Sequence, residues 1–320
     1  MSDGFFFKFQ VPVFNDSDSM TNNQKGILYA GITAFFWGFL AIALKIAVQE
    51  VAPQTIVWFR FAVAFILLVA WQLFRQPQSL RILTRPPLLL VFAAMALSWN
   101  YLGFMLGIQY TSPSNAQLII QTGPILLALA GVLFFKEKIR KQQIIGFVVA
   151  AIGFVFFYSQ QIKIMIGHES QYNMGIMFTL SGALAWATYA ILQKKLVLSF
   201  SAGTLNLFLF GFPALVYLPF VDFKPLMDLS WAWWTLLFFL GINTLIAYGS
   251  LAQALKYTEA NKVSIILILN PMITFSVMGI LTQMDVSWID GERFSILSLV
   301  GALIILMGAV LVVRRKSRIN

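Results

Sequence analysis

The chain has 320 residues, 59% of them hydrophobic and 11% charged, with a mean hydropathy of +0.82. That mixture lies far outside soluble globular proteins and leaves room for about ten membrane-crossing helices of about 20 residues each, with no sizeable soluble domain. The absence of cysteine excludes disulfides, thiolate metal sites and thiol nucleophiles, the single His168 excludes imidazole clusters, and a net charge of +10 asks whether the 22 Lys and Arg serve an anionic partner or membrane topology.

The first segment, 1–24, holds the run Phe5-Phe6-Phe7-Lys8-Phe9 but also Asp16 and Asp18. It lacks the basic start, apolar core and small-residue cleavage site of a signal peptide. We read it as a cytoplasmic tail, with Met20 an alternative start. Apolar runs then predict helices over 26–48, 54–74, 87–108, 113–135, 142–158, 174–197, 203–221, 231–255, 259–283 and 294–313. Apolarity continues round these segments without a period of two, which favours helices over barrel strands, since a helix satisfies its own backbone in lipid.

With the N-terminus in the cytoplasm, 17 of the 22 basic residues fall on that side, including Lys136, Lys138, Arg140 and Lys141 and the final Arg314, Arg315, Lys316 and Arg318. Four fall outside, and Arg60 lies within a span. This bias places both termini in the cytoplasm. Topology and anionic headgroups account for the charge, so no nucleic-acid partner is expected.

The two halves of the chain resemble each other. An offset of 149 pairs Gly26 with Gly175, Trp37 with Trp186 and Lys45 with Lys194; an offset of 147 pairs Tyr101 with Tyr248, Tyr110-Thr111 with Tyr257-Thr258 and Pro124 with Pro271. After an insertion near Met284-Asp285, an offset of 155 pairs Glu137 with Glu292, Gly146 with Gly301 and Gly153 with Gly308. The predicted fold is therefore all-α integral membrane, with ten transmembrane helices as two inverted five-helix repeats. Its parts are a tail (1–24), a first repeat (25–158), a periplasmic linker (159–173), a second repeat (174–313) and a basic cytoplasmic tail (314–320). Because five is odd, the second copy enters from the opposite side, an arrangement suited to alternating access around a central site.

The segments WFRFAVAFILL, FFKEKIRKQQIIGFVVAAIGF and GERFSILSLVGALIILMGAVLVV resemble EamA-type members of the drug/metabolite transporter superfamily. The resemblance spans 25–315. It implies movement of amino acids or other small metabolites, mostly outward, across a bacterial inner membrane. One departure is Lys136 before Glu137, where the second copy has Gly291 before Glu292.

Several residues are candidates for contact with a small-molecule substrate. Arg60 sits about 9 Å below the outer hydrocarbon edge, and its counterpart in the second half is Leu209. A guanidinium there suits a carboxylate or phosphate, and a structural bond to helix carbonyls or lipid headgroups is the competing reading. Trp37 and Trp186 lie near mid-span, away from the interfacial belt. With Asn100, Tyr101 and Tyr248 they would suit a zwitterion with an apolar side chain; otherwise they are packing elements. Gln117, Gln121 and Pro124 share a helix face, and Asn270-Pro271 repeats the interruption; Asn243 is a further polar candidate. Pro124 frees the carbonyl of Ile120, and in the ninth span that of Ile266 is expected to be free. Lys45 and Lys194, near helix ends, are expected to reach into the interface. Gly103 with Gly107, Gly146 with Gly153 and Gly301 with Gly308 mark close helix contacts.

No acidic residue falls at mid-span, and no Walker-type motif occurs. Facilitated movement or exchange is expected over a carboxylate-driven pump, with no cofactor and no metal. The chain is expected to be a monomer or homodimer and not an enzyme. Nucleotide-sugar or sugar-phosphate exchange is the nearest alternative, and a membrane binding or sensory protein is the alternative from another class.

Overall fold

A computed structural model describes residues 20–166, 170–291 and 295–313. The predicted roles of the tails 1–19 and 314–320, of His168 and of Glu292 and Arg293 lie outside the described residues. Among those described there is helix and no strand, and eight helices are long and apolar enough to cross a membrane; the described parts of two more, Lys141–Phe156 and Leu299–Gly308, are apolar but shorter. The chain is a multi-pass membrane protein.

Local chemistry sets the helix ends. α1 (Asn22–Ala47) opens on a capping box, in which Thr21 Oγ1 accepts the N–H of Gln24 and Gln24 Oε1 accepts that of Thr21 at 2.8 Å. α2 (Pro53–Arg75) starts on a proline, which needs no amide partner in a first turn. α3 (Leu88–Tyr110) follows Pro86-Pro87. The fourth predicted span is two helices, α4 (Pro113–Ile120) and α5 (Thr122–Leu133), separated at Gln121. α6 (Lys141–Ile166) runs well past the predicted end at 158, and α7 (Ser170–Leu196) begins before 174. α8 (Ala202–Tyr217), capped by Ser201, and the short α9 (Lys224–Met227) precede α10 (Trp231–Tyr257). The ninth predicted span is likewise broken, into α11 (Ala260–Leu267) and α12 (Asn270–Gln283), and α13 (Ile296–Val313) closes the described chain.

The breaks come where proline was predicted to interrupt, with one correction. The carbonyl of Ile266 is not free, because the N–H of Leu269 takes it at 3.0 Å. Pro271 stands four residues after Leu267, and α11 ends there, so the tightened turn at Ile268 and Leu269 satisfies Ile266.

Helices from the two halves interdigitate: α1 packs on α10, α3 on α7, and α6 on α13. Glycine permits two of these contacts. A methyl group at Gly153 would stand 2.7 Å from the backbone nitrogen of Ile305 and 2.8 Å from the carbonyl of Gly301, and one at Gly308 would stand 2.6 Å from that of Gly146. At Gly103 it would stand 2.7 Å from the carbonyl of Phe178. These glycines are packing residues, as their spacing predicted. The outer faces carry Phe74, Leu133 and Leu303, apolar side chains turned toward lipid.

Candidate functional site

α1, α2, α3, α7 and α10 converge with the two broken spans on a cavity of about 50 Å³ near the middle of the bundle, lined in part by Trp37, Arg60, Tyr101, Trp186, Tyr248 and Asn270. That is room for a few waters.

Arg60 is 2% exposed. Its Nε donates to Thr244 Oγ1 at 3.2 Å, and its guanidinium carbon lies 4.3 Å from the centre of the Tyr101 ring. Among the described residues it belongs to no ion pair. Thr244 is held in turn, donating to the carbonyl of Leu240 at 3.0 Å. The cation is thus steered by a hydroxyl and a ring face, neither of which neutralises it.

The aromatic wall is continuous. Trp37 meets Trp186 edge-on at 5.8 Å and Tyr248 at 5.2 Å; Tyr248 also approaches Tyr101 at 5.4 Å and Tyr189 at 5.7 Å. Spacings and tilts of this kind are the favoured ones for aromatic pairs. Tyr248 donates to Asn100 Oδ1 at 3.3 Å, and Asn100 Nδ2 to the carbonyl of Gly182 at 3.0 Å. Gln117 donates to the carbonyl of Trp37 at 3.0 Å. At the two breaks, Gln121 donates to Asn270 Oδ1 at 2.7 Å, tying one interruption to the other. The indole N–H groups of Trp37 and Trp186 and the Oε1 of Gln121 are buried without a partner among the described residues.

Most of the residues singled out in the sequence therefore share one cavity: Gln117, Gln121, Pro124 and Asn100 line it together with the six above. Two do not. Asn243 is fully buried beside it and donates to the carbonyl of Phe36 at 2.8 Å, and Pro271 is buried next to Asn270. Leu40, Phe104 and Ile120 complete the lining without having been foreseen, because apolar residues of a membrane helix carry no mark that separates a cavity face from a lipid face. Thr244 was also missed; its only signal is its place beside Asn243.

The lysines depart from expectation. Lys45 Nζ donates to the carbonyls of Ile108 at 3.2 Å and Thr111 at 3.1 Å, and Lys194 Nζ to that of Thr258 at 2.6 Å. Neither simply reaches for the interface, because the carbonyls left open at the ends of α3 and α10 lie closer. Gly26 packs on Thr258 and Gly175 on Thr111, so each threonine is met by the start of one long helix and the end of another. Asn23, at the start of α1, accepts from Thr258 and Lys262. The Thr258 end, which also carries 136–141, is thus opposite the Thr111 end. At the Thr258 end Glu137 is drawn inward: it accepts the N–H groups of Ala260 at 2.8 Å and Asn261 at 3.2 Å and lies 3.5 Å from Lys194 Nζ.

The sequence profile described as "EamA-like transporter family" matches residues 24–159 and again 173–314. An "Uncharacterized transporter" of Haemophilus influenzae is 31% identical over 288 residues, 89% of this chain and 94% of that protein. The "Uncharacterized inner membrane transporter YhbE" of Escherichia coli (strain K12) is 31% identical over 290 residues, 89% of this chain and 90% of that one. A solved crystal structure, 17% identical, shares the fold with a TM-score of 0.69 over 91% of this chain and 97% of its own.

Proposed function

The chain belongs to the EamA-like transporter family, and from that premise we propose that it moves a small carboxylate-bearing metabolite, an amino acid or a close relative, outward across a bacterial inner membrane. The observation that carries this reading is Arg60, buried with no acidic partner among the described residues, in a cavity where two indole N–H groups also find none among them. Such a site has donors to spare, and a carboxylate accepts several at once. Gln121 Oε1 and the aromatic faces suit an ammonium and an apolar side chain. A sugar phosphate would call for more converging cations, and Arg60 is the one cation of the lining among the described residues.

We further propose ten spans in two inverted five-helix repeats, with both termini in the cytoplasm. The mirrored contacts support this: Lys45 with Thr111 as Lys194 with Thr258, and Gly26 on Thr258 as Gly175 on Thr111. Two nearly equivalent packings favour alternating access. Among the described residues no carboxylate lines the cavity, so exchange or facilitated flux is the expected mode.

A thermal-shift screen of amino acids, purine derivatives and sugar phosphates, followed by flux in proteoliposomes, tests the proposal. Amino acids should stabilise the protein, and Arg60→Leu should abolish the shift. Stabilisation by sugar phosphates alone would overturn it.

A further inference from the structure

A second recess, about 580 Å³, opens between α5 and α6 on the outer face of the bundle. Its lining is apolar, with Leu129, Val132, Phe147 and Ala151 as walls, and Ile268 of the broken ninth span as its floor. Leu129 and Val148 are more than half exposed there, so the recess faces lipid.

The chain between α5 and α6 explains what it can hold. Residues 136–140 are irregular, and burial alternates along them: Lys136, Lys138 and Arg140 are exposed, while Glu137 and Ile139 turn in. Ile139 enters the recess, and Glu137 is engaged by Ala260, Asn261 and Lys194. The one acid of the run is thus taken away from its neighbours. Lys136, Lys138, Arg140 and Lys141 remain exposed and flank Ile139 in the chain, and none is in an ion pair among the described residues.

We infer that this recess is a binding site for an anionic phospholipid, whose phosphate meets the four cations and whose acyl chain fills the groove against Ile268. Hydrocarbon in the groove and a negative headgroup at its edge match both chemistries present. The site also bears on transport. Ile268 caps α11 two residues before Asn270, the residue that ties the two helix breaks together at the central cavity. An acyl chain against Ile268 supports the broken segment, and its loss frees that segment to move.

Native mass spectrometry of the purified protein, exchanged into equimolar phosphatidylglycerol and phosphatidylcholine, tests the site. The natural chain should retain phosphatidylglycerol preferentially, and the combined Lys136→Gln, Lys138→Gln, Arg140→Gln, Lys141→Gln variant should bind it more than about tenfold more weakly. Ala151→Trp, which fills the groove without changing charge, should lose the lipid as well. Arg75→Gln with Arg81→Gln and Arg85→Gln, a second basic cluster, should retain it. Equal retention of both lipids, or equal loss in the Arg75, Arg81 and Arg85 variant, would overturn the inference and leave only the general attraction of basic loops for headgroups. A readout on the natural chain needs no variant: phosphatidylglycerol should raise its melting temperature and diacylglycerol should not. An equal rise with both would also overturn it.

Discussion

The carboxylate of Glu137 accepts the backbone N–H of Ala260 at 2.8 Å, across 123 residues of sequence. It thereby caps α11 from the far end of α5, where the first turn leaves amide donors open and carries partial positive charge. With Lys194 alongside and the Glu137 side chain only 8% exposed, little water shares the contact. It joins the two halves at one mouth of the bundle.

If this clasp holds that mouth shut, Glu137→Gln should loosen it. Hydrogen bonds to a charged acceptor are worth about 1.5–3 kcal/mol, so a change of about tenfold in the open population is expected. The chain has no cysteine, so a single one at Ile120 in the cavity lining reports access without background. A membrane-impermeant maleimide should label it faster in Glu137→Gln than in the otherwise natural chain. Unchanged labelling would reduce the contact to a helix cap.

Arg60→Lys separates charge from shape. A lysine keeps the positive charge but loses the planar pair of donors and the stacking on Tyr101. Substrate binding measured by calorimetry should fall by about tenfold or more in Arg60→Lys, and further in Arg60→Gln. If Arg60→Lys bound as well as the natural chain, the guanidinium would be acting as charge alone. Trp186→Phe tests the same ligand from the other wall, because it removes the unpaired indole N–H and keeps the ring. A loss of about fivefold is expected for one neutral hydrogen bond.

Much of this arrangement was legible in the sequence because membrane helices follow simple length and polarity rules, and a polar or interrupted position within them is conspicuous. Arg60, Gln121 and Asn270 stood out for that reason, and they line one cavity. Asn243 stood out equally and does not line the cavity: any buried amide seeks a partner, and here the carbonyl of Phe36 was nearest. The lysine contacts were hidden differently. Lys45 and Thr111 each had a visible counterpart in the second half, but which helix ends touch depends on how the halves interdigitate, and a lysine near a span end has the same local sequence whether it reaches water or a carbonyl. Glu137 lay among basic neighbours in a connection, and nothing in the sequence showed that it follows a left-handed residue, Lys136 at φ 52°.

The contact of α6 with α13 yields a prediction that depends on no substrate. At Gly153 the atoms nearest an added methyl are backbone nitrogen and carbonyl groups of α13, which cannot rotate aside as a side chain would. Gly153→Ala must push the helices apart and lose packing along the whole contact, at a cost of about 1–3 kcal/mol. At Gly31 in α1 an added methyl meets nothing within 4 Å, so Gly31→Ala should keep or slightly raise stability, since alanine is the better helix former by about 1 kcal/mol. Thermal unfolding of the two variants in the same detergent should therefore move in different directions, Gly153→Ala down by several degrees and Gly31→Ala unchanged or up. Equal melting temperatures would mean that α6 and α13 are not pressed together in the folded protein.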